Sequence, residues 1–119
     1  MSIVTTSDFV YPYFLDTSGD NTLLQSIIDY VENEYVPLVS IEDLSEKKAM
    51  ILGFVYAFYC SEQLRMNTSI GNVSINTDNA TKDGHISNAF AIYNASVILF
   101  NKYVINKANK LRMYNEFGL

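Results

Sequence analysis

Two stretches of this sequence are too apolar to form helices with a single buried face. In residues 49–60, tyrosine hydroxyls and one thiol are the only polar side-chain groups, and residues 89–105 are nearly as apolar. A helix that is apolar on all sides must be covered from several directions. A chain of 119 residues has few places for such cover. The pattern therefore predicts a packed helical core, with excess apolar surface for a partner chain.

Apolar spacing predicts the first two main helices. Apolar residues recur at helical spacing over about residues 21–35, and Pro37 ends this helix because the residue before a proline avoids the α region. Either Asp20 or Asn21 is expected to cap its start. The second helix is expected at about residues 45–66, with Ser45 as its N-cap.

A third helix is predicted at about residues 86–108, after a polar stretch at residues 67–84. Within that stretch Val73 and Ile75 alternate with polar residues, which indicates an extended loop or a short β arm. The predicted fold class is thus all-α. It is a small bundle of three main helices in a single domain, residues 1–119, with the arm between the second and third helices and a tail at about residues 109–119.

Composition disfavours several functional classes. The formal charge of −5 opposes binding to nucleic-acid phosphates. A single cysteine, Cys60, makes neither an internal disulfide nor a zinc site, and it is expected to be a buried small hydrophobe. The start of the chain shows no secretory signal, and residues 49–60 are shorter than the roughly 20 that span a bilayer. A location on or in a membrane is therefore not expected.

Searches for catalytic and metal-binding patterns give no site. The only histidine, His85, stands beside Gly84 at a predicted helix start, and no glycine-rich phosphate loop occurs. Residues 16–22 alternate like the first half of a calcium loop, but Asn21 and Ile27 stand where glycine and glutamate are required. The chain is therefore predicted not to be an enzyme and to carry no cofactor and no metal.

Nine tyrosines and seven phenylalanines are present, and these residue types are common both in cores and at interfaces. Their helical spacing favours the core for Tyr56, Tyr59 and Tyr93.

Several motifs follow one another along almost the whole chain. They are Thr6-Ser7-Asp8 before Tyr11 and Tyr13, then Asp20-Asn21-Thr22-Leu23-Leu24-Gln25-Ser26-Ile27-Ile28 ending in Glu34-Tyr35-Val36-Pro37, a long apolar helix with Tyr56 and Tyr59, Ser69-Ile70-Gly71-Asn72-Val73-Ser74-Ile75, and a last apolar helix. In this order they resemble the gp6-like head–tail connector (adaptor) proteins of tailed bacteriophages.

The resemblance implies a structural virion protein at the head–tail junction, made in the host cytoplasm. Its partners would be further copies of itself in a ring, typically twelve-fold, the portal protein above, and tail or further connector proteins below. DNA would pass through the ring without sequence-specific binding. The alternative is a small helical interaction module, a dimeric adaptor or regulator of cellular or prophage origin. A ligand-binding or enzymatic helical domain would need convergent polar groups in a pocket.

Two regions are predicted to form subunit or partner interfaces. A lone strand in the arm leaves backbone groups unpaired, so it is expected to pair with a neighbouring chain, or else within the subunit with residues 2–5. Charge also divides along the chain, since every charged residue up to Glu46 is acidic. Such a division suits head-to-tail packing. The alternatives for the bases are a contact with DNA phosphates in the channel, a contact with an acidic face of the portal, or simply a favourable position at a helix C-terminus. The predicted interface residues are Ile70, Gly71, Asn72, Val73, Ser74, Ile75, Lys102, Lys107, Lys110 and Arg112.

Overall fold

The computed structural model describes residues 3–17, 19–60 and 84–113, with the side chains of residues 84–88 excepted. These ranges contain three α-helices: α1 at Thr22–Glu34, α2 at Leu44–Cys60 and α3 at Gly84–Tyr103. Short 3-10 turns lie at Thr6–Asp8, Val36–Leu38 and Lys107–Asn109. Apart from one isolated β-bridge, the described residues form no β-structure, so the predicted all-α bundle of three main helices is confirmed.

The helix α2 lies at the centre, and α1 runs antiparallel to it. Tyr30, inside α1, contacts Phe58 with ring centroids 6.2 Å apart. Tyr35, which follows α1, contacts Phe54, one turn earlier in α2, with centroids 4.9 Å apart. The partners move backwards along α2 as the chain moves forwards along α1, which defines the antiparallel arrangement.

The helix α3 also runs antiparallel to α2. The hydroxyl of Ser96, in the middle of α3, donates a buried 3.0 Å hydrogen bond to the backbone carbonyl of Met50. At the end of α3, the Tyr103 hydroxyl donates at 2.8 Å to Oε1 of Glu46, near the start of α2. Tyr93 of α3 also contacts Phe58, with ring centroids 6.1 Å apart, so the two helices pack together from Glu46 to Phe58 of α2.

The helix α2 is apolar on several sides because other segments of the same subunit pack against it. Its neighbours α1 and α3 pack on two sides, and the N-terminal segment closes a third through the edge contact of Tyr13 with Tyr56. The fully buried positions of α2 are Met50, Ile51, Gly53, Phe54, Val55, Tyr56, Ala57 and Phe58. For this helix, the sequence-based inference of a partner chain is unnecessary, because the monomer supplies the cover.

An aromatic cluster fills the space between the three helices. Phe54 is its middle, and it contacts the rings of Tyr35, Phe58, Tyr93 and Phe100 at 4.9–6.2 Å between centroids. Burial, with Tyr30 and Tyr93 nearby, raises the pKa of the Tyr35 hydroxyl far above its usual range, so it stays neutral. Edge-to-face pairs of this kind add to the stabilisation from burial alone.

Of the three tyrosines predicted to lie in the core, two are buried and one is half-buried. Tyr56 and Tyr93 are buried, as predicted, whereas Tyr59 is half-buried at the rim of the core.

Two predicted helix boundaries were wrong. Ser45 does not cap α2, because the Asp43 carboxylate accepts the backbone N–H groups of Ser45 and Glu46 at 2.8 and 3.2 Å. The helix α3 ends at Tyr103 and not near residue 108, since Val104 forms an antiparallel bridge with Val39. Tertiary pairing thus overrides an apolar pattern that continues past the end of the helix.

The start of α1 is stabilised as predicted by one of the two candidate residues. Oδ1 of Asp20 accepts the backbone N–H of Thr22 at 2.9 Å, whereas the Asn21 side chain makes no capping bond. That backbone hydrogen bond is the main reason why the pKa of Asp20 lies below its usual value.

The predicted arm at residues 67–84 falls outside the described residues except for Gly84, which is the first residue of α3. Of the predicted tail, residues 109–113 are described.

Candidate interaction surfaces

The four basic residues predicted to form an interface lie together at one end of the bundle. Lys102 is in the last turn of α3, and Lys107, Lys110 and Arg112 follow it in the chain. All four are exposed, and the Lys102 ammonium lies 5.2 Å from the centroid of the Tyr103 ring. We call this surface, with its neighbours Ile105 and Met113, the basic end.

The chain returns to α3 within the basic end through a pair of side-chain hydrogen bonds. Nδ2 of Asn101 donates to the backbone carbonyl of Leu111 at 2.9 Å, and Oδ1 of Asn101 accepts the Leu111 N–H at 2.8 Å. The Asn101 side chain thereby satisfies both backbone polar groups of Leu111. The side chain of Leu111 is itself buried. Lys110 and Arg112 are the chain neighbours of Leu111, so these two bonds bring them back to the level of Lys102.

A second attachment joins the end of α3 to the connection before α2. The Ser40 N–H donates to the Tyr103 carbonyl and the Ile105 N–H to the Leu38 carbonyl, both at 2.9 Å. Together with the bond from Tyr103 to Glu46, these contacts fix the direction in which residues 104–110 leave the helix. The basic end is therefore built on a rigid support.

We expect Asn101→Ala to release residues 110–113 without unfolding the helices. The substitution removes both bonds to Leu111, and a net loss of about 1–2 kcal/mol in unfolding free energy follows. Amide hydrogen exchange is the direct measurement: the Leu111 N–H should lose its protection while amides in the middle of α2 keep theirs. Asn33→Ala, an exposed asparagine on α1, serves as the control. Unchanged protection at Leu111 would show that Asn101 does not hold this segment.

Large apolar side chains are exposed among the bases of this surface. Ile105 is 67% and Met113 48% exposed, and Leu44 at the start of α2 is 58% exposed. Sequence reasoning missed all three, because it treated residues up to 108 as helix and chose the interface residues of this surface by charge. Ile105 could have been identified as a candidate, because it continues the apolar run of α3 just after the helix ends.

A second exposed apolar surface lies in the N-terminal segment, and sequence reasoning missed it too. Between the buried side chains of Phe9 and Leu15, Val10 is 61%, Tyr11 92% and Phe14 64% exposed. The chain reverses here, with the Tyr13 N–H donating to the Val10 carbonyl at 2.7 Å and a cis peptide bond between Tyr11 and Pro12. We call residues 10–14 the aromatic loop. Its signal in the sequence was the run of seven apolar residues at 9–15.

The aromatic loop and the segment before it are both held against the bundle. Before it, Oε2 of Glu32 on α1 accepts the backbone N–H groups of Ile3 and Val4 at 2.7 and 3.0 Å, and the Val4 side chain is fully buried. Within it, the Tyr13 ring contacts Tyr56 of α2, with centroids 6.3 Å apart. The exposed side chains therefore project from a fixed backbone.

A short turn at Thr6–Asp8 precedes the aromatic loop. It is a 3-10 turn, in which the Thr5 N–H donates to Oδ2 of Asp8 at 2.9 Å.

Glu32→Ala is expected to detach residues 3–8 from α1. Loss of a charged acceptor shared by two backbone donors should lower the unfolding free energy by about 2 kcal/mol. Urea unfolding followed by circular dichroism measures the change, and limited proteolysis should show faster cleavage before Phe9. Glu34→Ala, on an exposed position of the same helix, gives the comparison. Equal stability of the two variants would contradict this role for Glu32.

Chemistry-bearing side chains do not come together in the part of the chain that the structure describes. No group of three or more His, Cys, Asp and Glu residues there could hold a metal ion. Cys60 is half-buried at the end of α2, less covered than predicted, and the His85 side chain lies outside the described residues. None of the described helices has the length and hydropathy that crossing a bilayer requires.

Of the predicted interface residues, the structure thus brings together Lys102, Lys107, Lys110 and Arg112. The arm residues lie outside the described part of the chain, namely Ile70, Gly71, Asn72, Val73, Ser74 and Ile75. No protein-family model, no curated protein and no solved structure matches this chain.

Proposed function

We propose that this chain is a structural subunit of the head–tail connector of a tailed bacteriophage. Copies of it would form a ring beneath the portal, and the ring would join the filled capsid to the tail. The ring would let DNA pass without sequence-specific binding and would catalyse no reaction. The ordered motifs from Thr6 to Ile75 and the last apolar helix are the basis of the proposal. A twelve-fold ring is what the resemblance implies.

The observation that carries the proposal is the position of the exposed apolar side chains. The compact bundle supplies its own core, yet it presents Val10, Tyr11 and Phe14 on one loop and Ile105 and Met113 on another surface. Exposed apolar groups of this size mark protein contacts when they occur in clusters. Both surfaces rest on backbone that side-chain hydrogen bonds hold in place, as a subunit of a stable assembly requires.

The proposed mechanism is mechanical and electrostatic. Each rigid bundle would act as one segment of the ring, and contacts between unlike surfaces close into a ring when the rotation between neighbours allows it. The net charge of −5 per subunit suits a wall along which DNA slides, since phosphates are not held by an acidic surface. Portal and tail proteins would dock on the two rims of the ring.

A nonsense mutation in the gene for this chain, in the phage that carries it, tests the proposal. We expect particles with assembled heads and no attached tails in electron micrographs, and restoration of tails when the chain is supplied from a plasmid. Mass spectrometry of complete virions should detect the chain in a few to a few dozen copies. Infectious, tailed particles from the mutant would refute the structural role.

The same exposed surfaces would also serve a dimeric adaptor or regulator. That function predicts a two-fold contact, in which one surface meets its own copy. Analytical ultracentrifugation of the purified protein distinguishes the two, because a dimer that does not grow with concentration favours the adaptor, whereas larger species favour the ring subunit.

A further inference from the structure

We propose that the aromatic loop of one copy docks on the basic end of a second copy. The inference rests on the proposed function, since it names the two surfaces through which ring subunits would meet. Three observations carry it: the two surfaces lie at opposite ends of the bundle, their charges are complementary, and each presents exposed apolar side chains.

The contacts of α2 place the two surfaces at opposite ends of the bundle. The basic end is attached near the start of α2, where Tyr103 bonds Glu46. The aromatic loop is attached near the other end, where Tyr13 contacts Tyr56. Glu46 and Tyr56 are ten residues apart, which corresponds to about 15 Å along the helix. One molecule therefore presents the two surfaces in different directions, and their contact joins one copy to the next in a heterologous way.

The aromatic loop lies in an acidic part of the chain. Asp8 and Asp16 flank the loop, and Asp20 precedes α1 at the same end of the bundle, because α1 runs antiparallel to α2. The first basic residue in the sequence is Lys47. Residues 1–46 contain no basic residue, so this segment is acidic by composition, and we call Asp8, Asp16 and Asp20 the acidic border of the loop.

The basic end carries the opposite charge. Lys102, Lys107, Lys110 and Arg112 are exposed there. The start of α2 beside this surface holds Glu42, Asp43 and Glu46 as well as Lys47 and Lys48. Basic residues thus outnumber acidic ones by six to three at this end, and the four exposed cations form a cationic border that complements the acidic border of the loop.

Apolar side chains lie within both borders. The aromatic loop offers Tyr11 and Phe14, and the basic end offers Ile105 and Met113. Aromatic residues that enter a partner's apolar surface supply most of the affinity of many interfaces, while the surrounding charges set orientation and encounter rate. Both backbones are held by hydrogen bonds before contact, so little conformational freedom is lost on docking.

Cross-linking of the purified protein tests this pairing directly. In a Cys60→Ala background, which removes the only native thiol, Phe14→Cys and Met113→Cys are made as separate proteins, one with a mass tag. The two are mixed and treated with a short bis-maleimide. We expect the mixed product, Phe14→Cys joined to Met113→Cys, to exceed either self-linked product at least tenfold. A mixture of Asn33→Cys with Met113→Cys is the control, and circular dichroism confirms that every variant is folded.

Two results would overturn the proposal. Self-linked Phe14→Cys in excess would mean that the loop meets its own copy, and mixed product no greater than the Asn33→Cys control at millimolar protein would mean that the surfaces do not meet. The nonsense-mutant experiment keeps this test separate from the proposed function. Tailed mutant particles together with specific mixed cross-links would refute the phage role and support the contact between copies. Tailless particles without the cross-links would support the phage role and refute this contact.

Discussion

Replacing Gly53 with valine is expected to lower the unfolding free energy by roughly 3 kcal/mol, because it overfills the contact between α2 and α3. A Cβ atom at Gly53 would overlap Oγ of Ser96, and it would lie 3.3 Å from the Ser96 Cβ and 3.4 Å from Cγ2 of Ile92. These atoms belong to α3, and the glycine leaves room for their close approach to α2. Valine adds two further methyl groups to that contact.

The measurement is urea unfolding followed by circular dichroism. Gly53→Ala should give an intermediate loss, although alanine alone would stabilise a helix by about 1 kcal/mol relative to glycine. Adding Ser96→Ala to Gly53→Ala should recover part of that loss, because it removes the overlapping oxygen along with its hydrogen bond to Met50. Ala95→Val, at an exposed position of α3, controls for the branched side chain. A Gly53→Ala protein more stable than the wild type would disprove the close contact.

The spacing of apolar residues predicted the buried face of α1 correctly, because the residues of one helix face recur every 3 or 4 positions. The five apolar residues that recur at helical spacing in this segment are all buried: Leu24, Ile27, Ile28, Val31 and Tyr35. The predicted bounds of that helix, about residues 21–35, agree with Thr22–Glu34 to within one residue at each end. The buried face of a helix is defined by residues 3 or 4 positions apart, so the spacing of apolar residues in the sequence is enough to predict it.

The helix ends were less predictable because distant residues determine them. Val104 continues the apolar pattern of α3, yet its backbone pairs with Val39, 65 residues earlier in the chain. Likewise, Asp43 and not Ser45 accepts the first N–H groups of α2, a choice between two good capping residues that depends on the local backbone path. Neither outcome follows from propensity alone.

The candidate surfaces were predictable only in their charge. Clustering of Lys102, Lys107 and Lys110 was visible in the sequence, whereas the return of the chain to Asn101 left no local pattern. For residues 9–15 the sequence showed an apolar run, and whether each side chain is buried depended on the turn at Val10. Exposure in this loop follows from that local turn together with distant contacts such as that of Tyr13 with Tyr56, which leave no pattern in the sequence.

Reversal of Lys102, Lys107 and Lys110 to glutamate is expected to weaken self-association at least about 100-fold while leaving the helical content intact. The three side chains are exposed, so the bundle does not depend on them. In the proposed contact they face the acidic border of the aromatic loop, and like charges brought together at an interface cost several kcal/mol. Sedimentation velocity at several protein concentrations measures the association, and far-ultraviolet circular dichroism measures the helical content.

The dependence on salt separates this interface from a nonspecific effect of charge. Lowering the ionic strength lengthens the range of electrostatic forces, so it should strengthen association of the wild type and weaken that of the triple variant. Mixing the triple variant with an Asp16→Lys protein should restore part of the association, because opposite charges then face each other again. Neutral Gln substitutions at the three lysines should give an intermediate loss with little dependence on salt. Association of the triple variant that equals the wild type at low salt would exclude the basic end from the contact, since repulsion is greatest under that condition.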